Sequence, residues 1–287
     1  MKAAAMVLLA GSLPATAGNL ALASGTYAGT LGAGAATGAE RSAFGNNPAA
    51  FSPGRFGLRF DCHRPYGLED LQVAEAGLFA DAERLGAGLD WRTTGIEGLW
   101  RGQGLQFSSV ARVFRSAGWP GRFDLGAAWI AWRDEWPGRK AAWSGTEAAG
   151  LAWSPWPGIR AGAFWSEGDP GGNDGDRILQ FGVEARHGGE GGAQALRLDF
   201  RKTGGSPWRA LASMSIRPHP ACEFTGGIAS PPFQASAGCA LAWRGLRVRQ
   251  ALRYHRYLGR TRLSGADWEG GTERDVRARA VQPGLPP

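Results

Sequence analysis

The chain has 287 residues, 46 of them glycine and 13 tryptophan, with 32 basic residues against 25 acidic ones and a formal net charge of +7. That length suits one large domain or two ordinary ones. The charge does not make a nucleic-acid protein: lysine occurs only at Lys2, Lys140 and Lys202, the arginines are spread along the chain, and no basic helix, zinc-finger spacing or RNP-like strand gathers them.

The chain opens MKAAAMVLLAGSLPATAG. A basic residue, an apolar stretch and small residues ending in Ala15-Thr16-Ala17 predict a secretory signal peptide over residues 1–17, with Ala21-Leu22-Ala23 as a second cleavage site. Beyond it no apolar run approaches the ~20 residues that a membrane-spanning helix needs. Residues 18–54 form a small-residue segment that ends in NNPAAFSPG, with Asn46, Asn47, Pro48 and Ala49 at its centre. Proline fixes φ and removes an N–H, and an asparagine side chain can bond a neighbouring amide. These residues predict a positioned turn, read either as the anchor of an N-terminal plug or as a simple turn before the first strand.

From residue 55 the period becomes two. Strands are predicted at 56–62, 72–80, 84–92, 103–114, 122–132, 146–154, 157–166, 177–187, 194–202, 208–217, 220–228, 233–243, 245–255 and 260–268. In RFDLGAAWIAWRDEW, residues 122–136, Phe123, Leu125, Ala127, Trp129 and Ala131 share one face, although Ile130 and Trp132 blur the alternation. In QALRLDFRK, Leu196, Leu198 and Phe200 oppose Arg197, Asp199 and Arg201. Glu184 and Arg186 oppose Phe181 and Val183, while Arg247 and Arg249 oppose Leu246 and Val248.

A soluble sandwich gives the same alternation with its apolar face inward. Two features favour the inverse. The alternation persists over ~9–11 residues, the span of a tilted membrane strand. Aromatics also gather towards strand ends, giving Trp91, Trp129, Trp132, Trp153, Trp165, Trp208, Trp243 and Trp268 as candidates for interfacial girdles. A sheet in lipid must close, because edge groups find no water there. The expected fold is therefore all-β: a closed antiparallel transmembrane β-barrel over residues 55–268 with about fourteen strands. Twelve is the alternative count, since the boundary at 220–228 is weak. A charged, proline-containing tail at 269–287 follows.

In such a barrel Glu184, Arg186, Arg197, Asp199, Arg201, Arg247 and Arg249 face the lumen, where ion pairs between neighbouring strands favour a narrow or occluded channel. No GxSxG, Walker A or dinucleotide fingerprint is present, so neither an enzyme nor a cofactor is expected. Cys62, Cys222 and Cys239 form no metal or redox pair, and the spacing leaves open whether two are bridged. The four histidines are too isolated for a zinc site.

The stretch ATGAERSAFGNNPAAFSPG at 36–54, with RPYGLEDL at 64–71 and HRYLGRT at 255–261, resembles outer-membrane barrels of the FadL type, and more closely their PorV- and PorQ-like relatives. The resemblance implies fourteen strands, an N-terminal plug inside the barrel and an outer-membrane location. It also implies either passage of a small hydrophobic molecule or partnership with an envelope or export protein. Outer-membrane lipid and the barrel assembly machinery would be the remaining partners, and nucleic acid would be none. The competing expectation is a secreted or periplasmic soluble β-sheet binding protein.

Overall fold

The computed structural model describes residues 47–49, 55–68, 70–82, 84–114, 121–167, 177–189 and 192–270. The expected signal peptide, Asn46, most of the small-residue segment and the tail past Gly270 lie outside the described residues.

Alternation produces strands throughout. They are β1 (Arg55–Arg64), β2 (Leu71–Asp81), β3 (Leu85–Ile96), β4 (Trp100–Phe114), β5 (Arg122–Glu135), β6 (Ala142–Trp156) and β7 (Ile159–Ser166). After these come β8 (Ile178–Gly189), β9 (Gly192–Thr203), β10 (Arg209–His219), β11 (Cys222–Ser230), β12 (Gln234–Trp243), β13 (Leu246–His255) and β14 (Gly259–Gly270). Each strand pairs antiparallel with its neighbours in sequence, and β1 pairs with β14, so the sheet closes. The count is fourteen, not twelve, because β11 is a full strand paired on both sides.

Several strands run further than their apolar pattern. β3 reaches Ile96, β4 starts at Trp100, and β5 and β6 continue to Glu135 and from Ala142. Beyond the apolar band Thr93, Gln103 and Arg133 occupy the outward positions, so the hairpins extend with polar residues on both faces and no alternation marks them.

The two barrel ends differ. One carries both ends of the sheet and, apart from the connection at 115–121, short turns such as 82–84, 157–158 and 244–245; the other carries connections at 65–70, 136–141, 167–177 and 204–208. We call these the turn end and the loop end. The β12–β13 turn shows why so few residues suffice at the turn end. Arg244 and Gly245 both take positive φ, 46° and 85°, the twist that matches a two-residue hairpin.

Apolar side chains point outward. Leu198 is 40% exposed on β9, while its neighbour Asp199 is 0% exposed inside. Leu179, Phe181, Val183, Leu196, Phe200, Met214, Ile228, Leu241, Val248 and Leu252 are likewise exposed. A soluble sandwich buries such rows, so that alternative fails: this surface suits hydrocarbon. Gln250 breaks the outward row of β13, and there the Ser264 hydroxyl donates to its Oε1 at 3.2 Å from β14. The cysteines are free, with Cys62 and Cys239 exposed on the outer face.

Trp91, Trp129, Trp165, Trp208, Trp243 and Trp268 are exposed on the outside. Trp153 is half-buried there, stacked on Phe123 at 5.8 Å. Trp132 is the correction to the expected girdle. It points into the lumen and is 2% exposed. Parity decides this, since Trp132 shares the face of Asp124, Ala128 and Ile130. Gly102 on β4 leaves room for the ring, and Asp134 accepts from the indole Nε1 at 3.1 Å.

Candidate functional site

Among the described residues the buried charges of the strands gather in the lumen, and most of its side chains are packed away from water. Gln106, Ser108 and Asp199 are completely buried there. Four groupings stand out in the lining.

The first spans β13, β14, β1, β2 and β3. Arg59 reaches Asp90 at 2.8 Å and Asp61 at 3.5 Å. Arg249 reaches Asp61 at 3.0 Å and Asp267 at 2.9 Å. Arg92 donates through Nε to Glu75 at 2.6 Å. Three guanidiniums thus face four carboxylates, all of them buried. Removing ions from water is tolerated when each finds opposite charge and hydrogen bonds.

A second grouping lies on β8 and β9. Glu184 accepts from Arg197 at 2.7 Å and also from Arg186, and Asp199 accepts from the Gln180 amide at 2.6 Å. The third is nearer the turn end, where Glu223 on β11 holds Arg217 at 2.7 Å and Arg247 at 2.8 Å. All seven residues expected in the lumen, Glu184, Arg186, Arg197, Asp199, Arg201, Arg247 and Arg249, occupy inward strand positions, with Arg186 the most open to water.

The fourth grouping joins Asn47, Pro48 and Ala49, all buried, to the inner wall of β5, β6 and β7. Asn47 Nδ2 donates to the carbonyls of Leu151 and Ala163, each at 3.2 Å, and so bridges β6 and β7. Asn47 Oδ1 accepts the Ala49 amide at 2.8 Å, which closes the local turn. Arg160 donates to the Ala49 carbonyl at 3.3 Å and to Asp124 at 3.2 Å. Glycine makes the approach feasible. A Cβ at Gly150 would sit 1.7 Å from Asn47 Oδ1, and one at Gly126 would sit 2.3 Å from the Ala49 nitrogen. Towards the loop end, Ala128, Ala148, Phe164 and Ile178 form an apolar cluster on the same inner wall.

The sequence pattern marks Asn47-Pro48-Ala49 but not what they touch. Of the β13–β3 network that pattern marks only Arg249, although Arg59-x-Asp61-x-His63 and Asp90-x-Arg92 carry the same period-two signal as β9. Alternation puts Asp124 on the lumen face of β5, whereas Arg160 shows only as a charge on a small-residue strand. Among the described residues no group of three or more His, Cys, Asp or Glu side chains could hold a metal ion.

No protein-family model matches the chain, and no curated protein does. Among solved structures, it is similar to the outer membrane protein Omp33 of Acinetobacter baumannii, with a TM-score of 0.53 and 7% identity over 75% of this chain and 98% of that one. A triple mutant of Rhodopseudomonas blastica porin aligns with a TM-score of 0.39 and 11% identity over 75% of this chain and 99% of that one. At such identities the likeness is one of fold. That fold is the closed transmembrane barrel of outer-membrane proteins.

Proposed function

We propose that this chain is a transport barrel of the outer membrane whose lumen is closed at rest, and that solute passes when the Asn47–Ala49 turn leaves the inner wall. The observation that carries the reading is the docking of Asn47 across β6 and β7, over two glycines where any side chain would clash. By the usual pattern of such barrels, short turns face the periplasm, so the start of β1 would lie on that side. The docked turn also supports kinship with the FadL type, which carries an inner plug. The lining supports a different solute. Buried ion pairs and amides suit a small water-soluble molecule better than the hydrophobic one that the FadL resemblance implies.

Planar-bilayer conductance tests the reading. Wild-type protein is expected to show small or rare openings, and Gly150→Leu a several-fold larger steady conductance at equal barrel content. A wide, constant wild-type pore, or a variant indistinguishable from wild type, overturns it. The closed lumen also suits an anchor for an envelope or export protein. Silence of both proteins in the bilayer, with a stable partner co-purifying from envelopes, would favour that second reading.

A further inference from the structure

The loop end of the lumen holds a group of arginines unlike those elsewhere. Arg201 on β9 and Arg209 on β10 are direct cross-strand partners. Both stand on inward positions, Arg201 after Arg197 and Asp199, and Arg209 before Leu211 and Ser213. Arg253 on β13 is buried and also inward, and its charge acts on Arg209 together with that of Arg201. Like charges in cross-strand register repel. Yet neither Arg209 nor Arg253 has a carboxylate partner among the described residues, and Arg209 Nε and Nη2 are buried without a hydrogen bond. Buried donors left unmade are costly. By contrast, Arg92, Arg197, Arg217, Arg247 and Arg249 each hold a carboxylate.

A tyrosine completes the group. The short 3-10 turn Pro65–Gly67 after β1 holds Tyr66 at φ 56°, and its amide donates to Thr261 Oγ1 at 2.8 Å. The ring meets His255 edge-on at 5.7 Å. Its hydroxyl accepts from Arg253 Nη2 at 3.5 Å, which leaves the phenolic proton to donate elsewhere. Burial raises the pKa of Tyr66 against the pull of Arg253 and Arg209, so that proton stays in place at neutral pH.

We propose that Arg201, Arg209, Arg253 and the Tyr66 hydroxyl form a binding site for a small dissolved oxyanion of the phosphate or carboxylate class. The planar guanidinium fork matches two oxygens of such an anion, and the anion would satisfy the idle donors while relieving the repulsion. The barrel wall separates the site from lipid headgroups, so the ligand arrives from water at the loop end. The site stands whether or not the lumen conducts.

Calorimetric titration of the folded full chain in nonionic detergent tests it, with inorganic phosphate as the probe at constant ionic strength. Saturable binding of one phosphate per chain is expected. It should weaken at least tenfold in Arg209→Gln and in Arg253→Gln and several-fold in Tyr66→Phe. It should stay within twofold in Arg217→Gln, whose guanidinium sits near the turn end on Glu223. Heat-modifiable gel mobility reports folding of each variant, and if one arginine variant fails to fold the other decides. No saturable binding by wild type, or an equal loss in Arg217→Gln, overturns the site.

Discussion

The charges of β13, β14, β1, β2 and β3 are closed on one another, whereas those of Arg209 and Arg253 at the loop end are not. Both groups lie inside one barrel and come from the same alternating pattern, so pattern alone does not separate them. Cross-strand register does. It sets Asp61 beside Glu75 and Gly265, within reach of Arg59 and Arg249, but sets Arg209 beside Arg201. The paired group therefore supports the fold, and the unpaired group is a place where stability has been given up. In barrels, as at other functional sites, that difference separates scaffold from site.

Breaking the paired group should have the largest effect. Glu75→Ala strands Arg92 without its carboxylate in a buried setting, a change that costs about 3–5 kcal/mol. The measurement is the urea midpoint of unfolding from lipid vesicles, expected to fall strongly. Next comes the outer wall, the frame common to both regions. Leu198→Arg puts a guanidinium in hydrocarbon and should cost about 2–4 kcal/mol. A depth-sensitive probe separates this from burial in a protein core: acyl-chain quenchers should reach position 198 and not 199. Equal quenching of both by a water-soluble agent would contradict the lipid-facing row.

The wall under the N-terminal turn should be less sensitive. Gly150→Ala forces a Cβ onto Asn47 Oδ1, an overpacking expected to cost about 1–3 kcal/mol. Replacing Asn47 by alanine removes two hydrogen bonds to the wall and should cost about 1–2 kcal/mol. In both variants protease should cut ahead of β1 faster while the barrel itself resists; unchanged cleavage would mean that the turn anchors nothing. The smallest effect, and the one that sharpens the comparison, belongs to Arg209→Gln. With one of two facing like charges gone, the anion-free barrel should gain about 0.2–1 kcal/mol. A loss as large as that of Glu75→Ala would show that Arg209 is scaffold after all.

The pairing of β11 on both sides fixed the count at fourteen, but from the amino-acid sequence alone came the run of candidate strands, the inward rows of β8, β9 and β13, and the outward position of most tryptophans. These follow from a period of two, a local property that each strand carries whatever its partners are. Trp132 shows the limit within a strand: its side chain type pointed to an interface, but parity and the space over Gly102 turned it inward. The tertiary structure alone decided which charges meet. Asn47 and Leu151 are 104 residues apart, Arg249 and Asp61 are 188 apart, and Arg253 and Tyr66 are 187 apart. Such contacts depend on closure of β1 on β14 and on the distance across the lumen. Neither leaves a trace in local sequence, because periodicity assigns a side chain to a face and says nothing of what stands opposite.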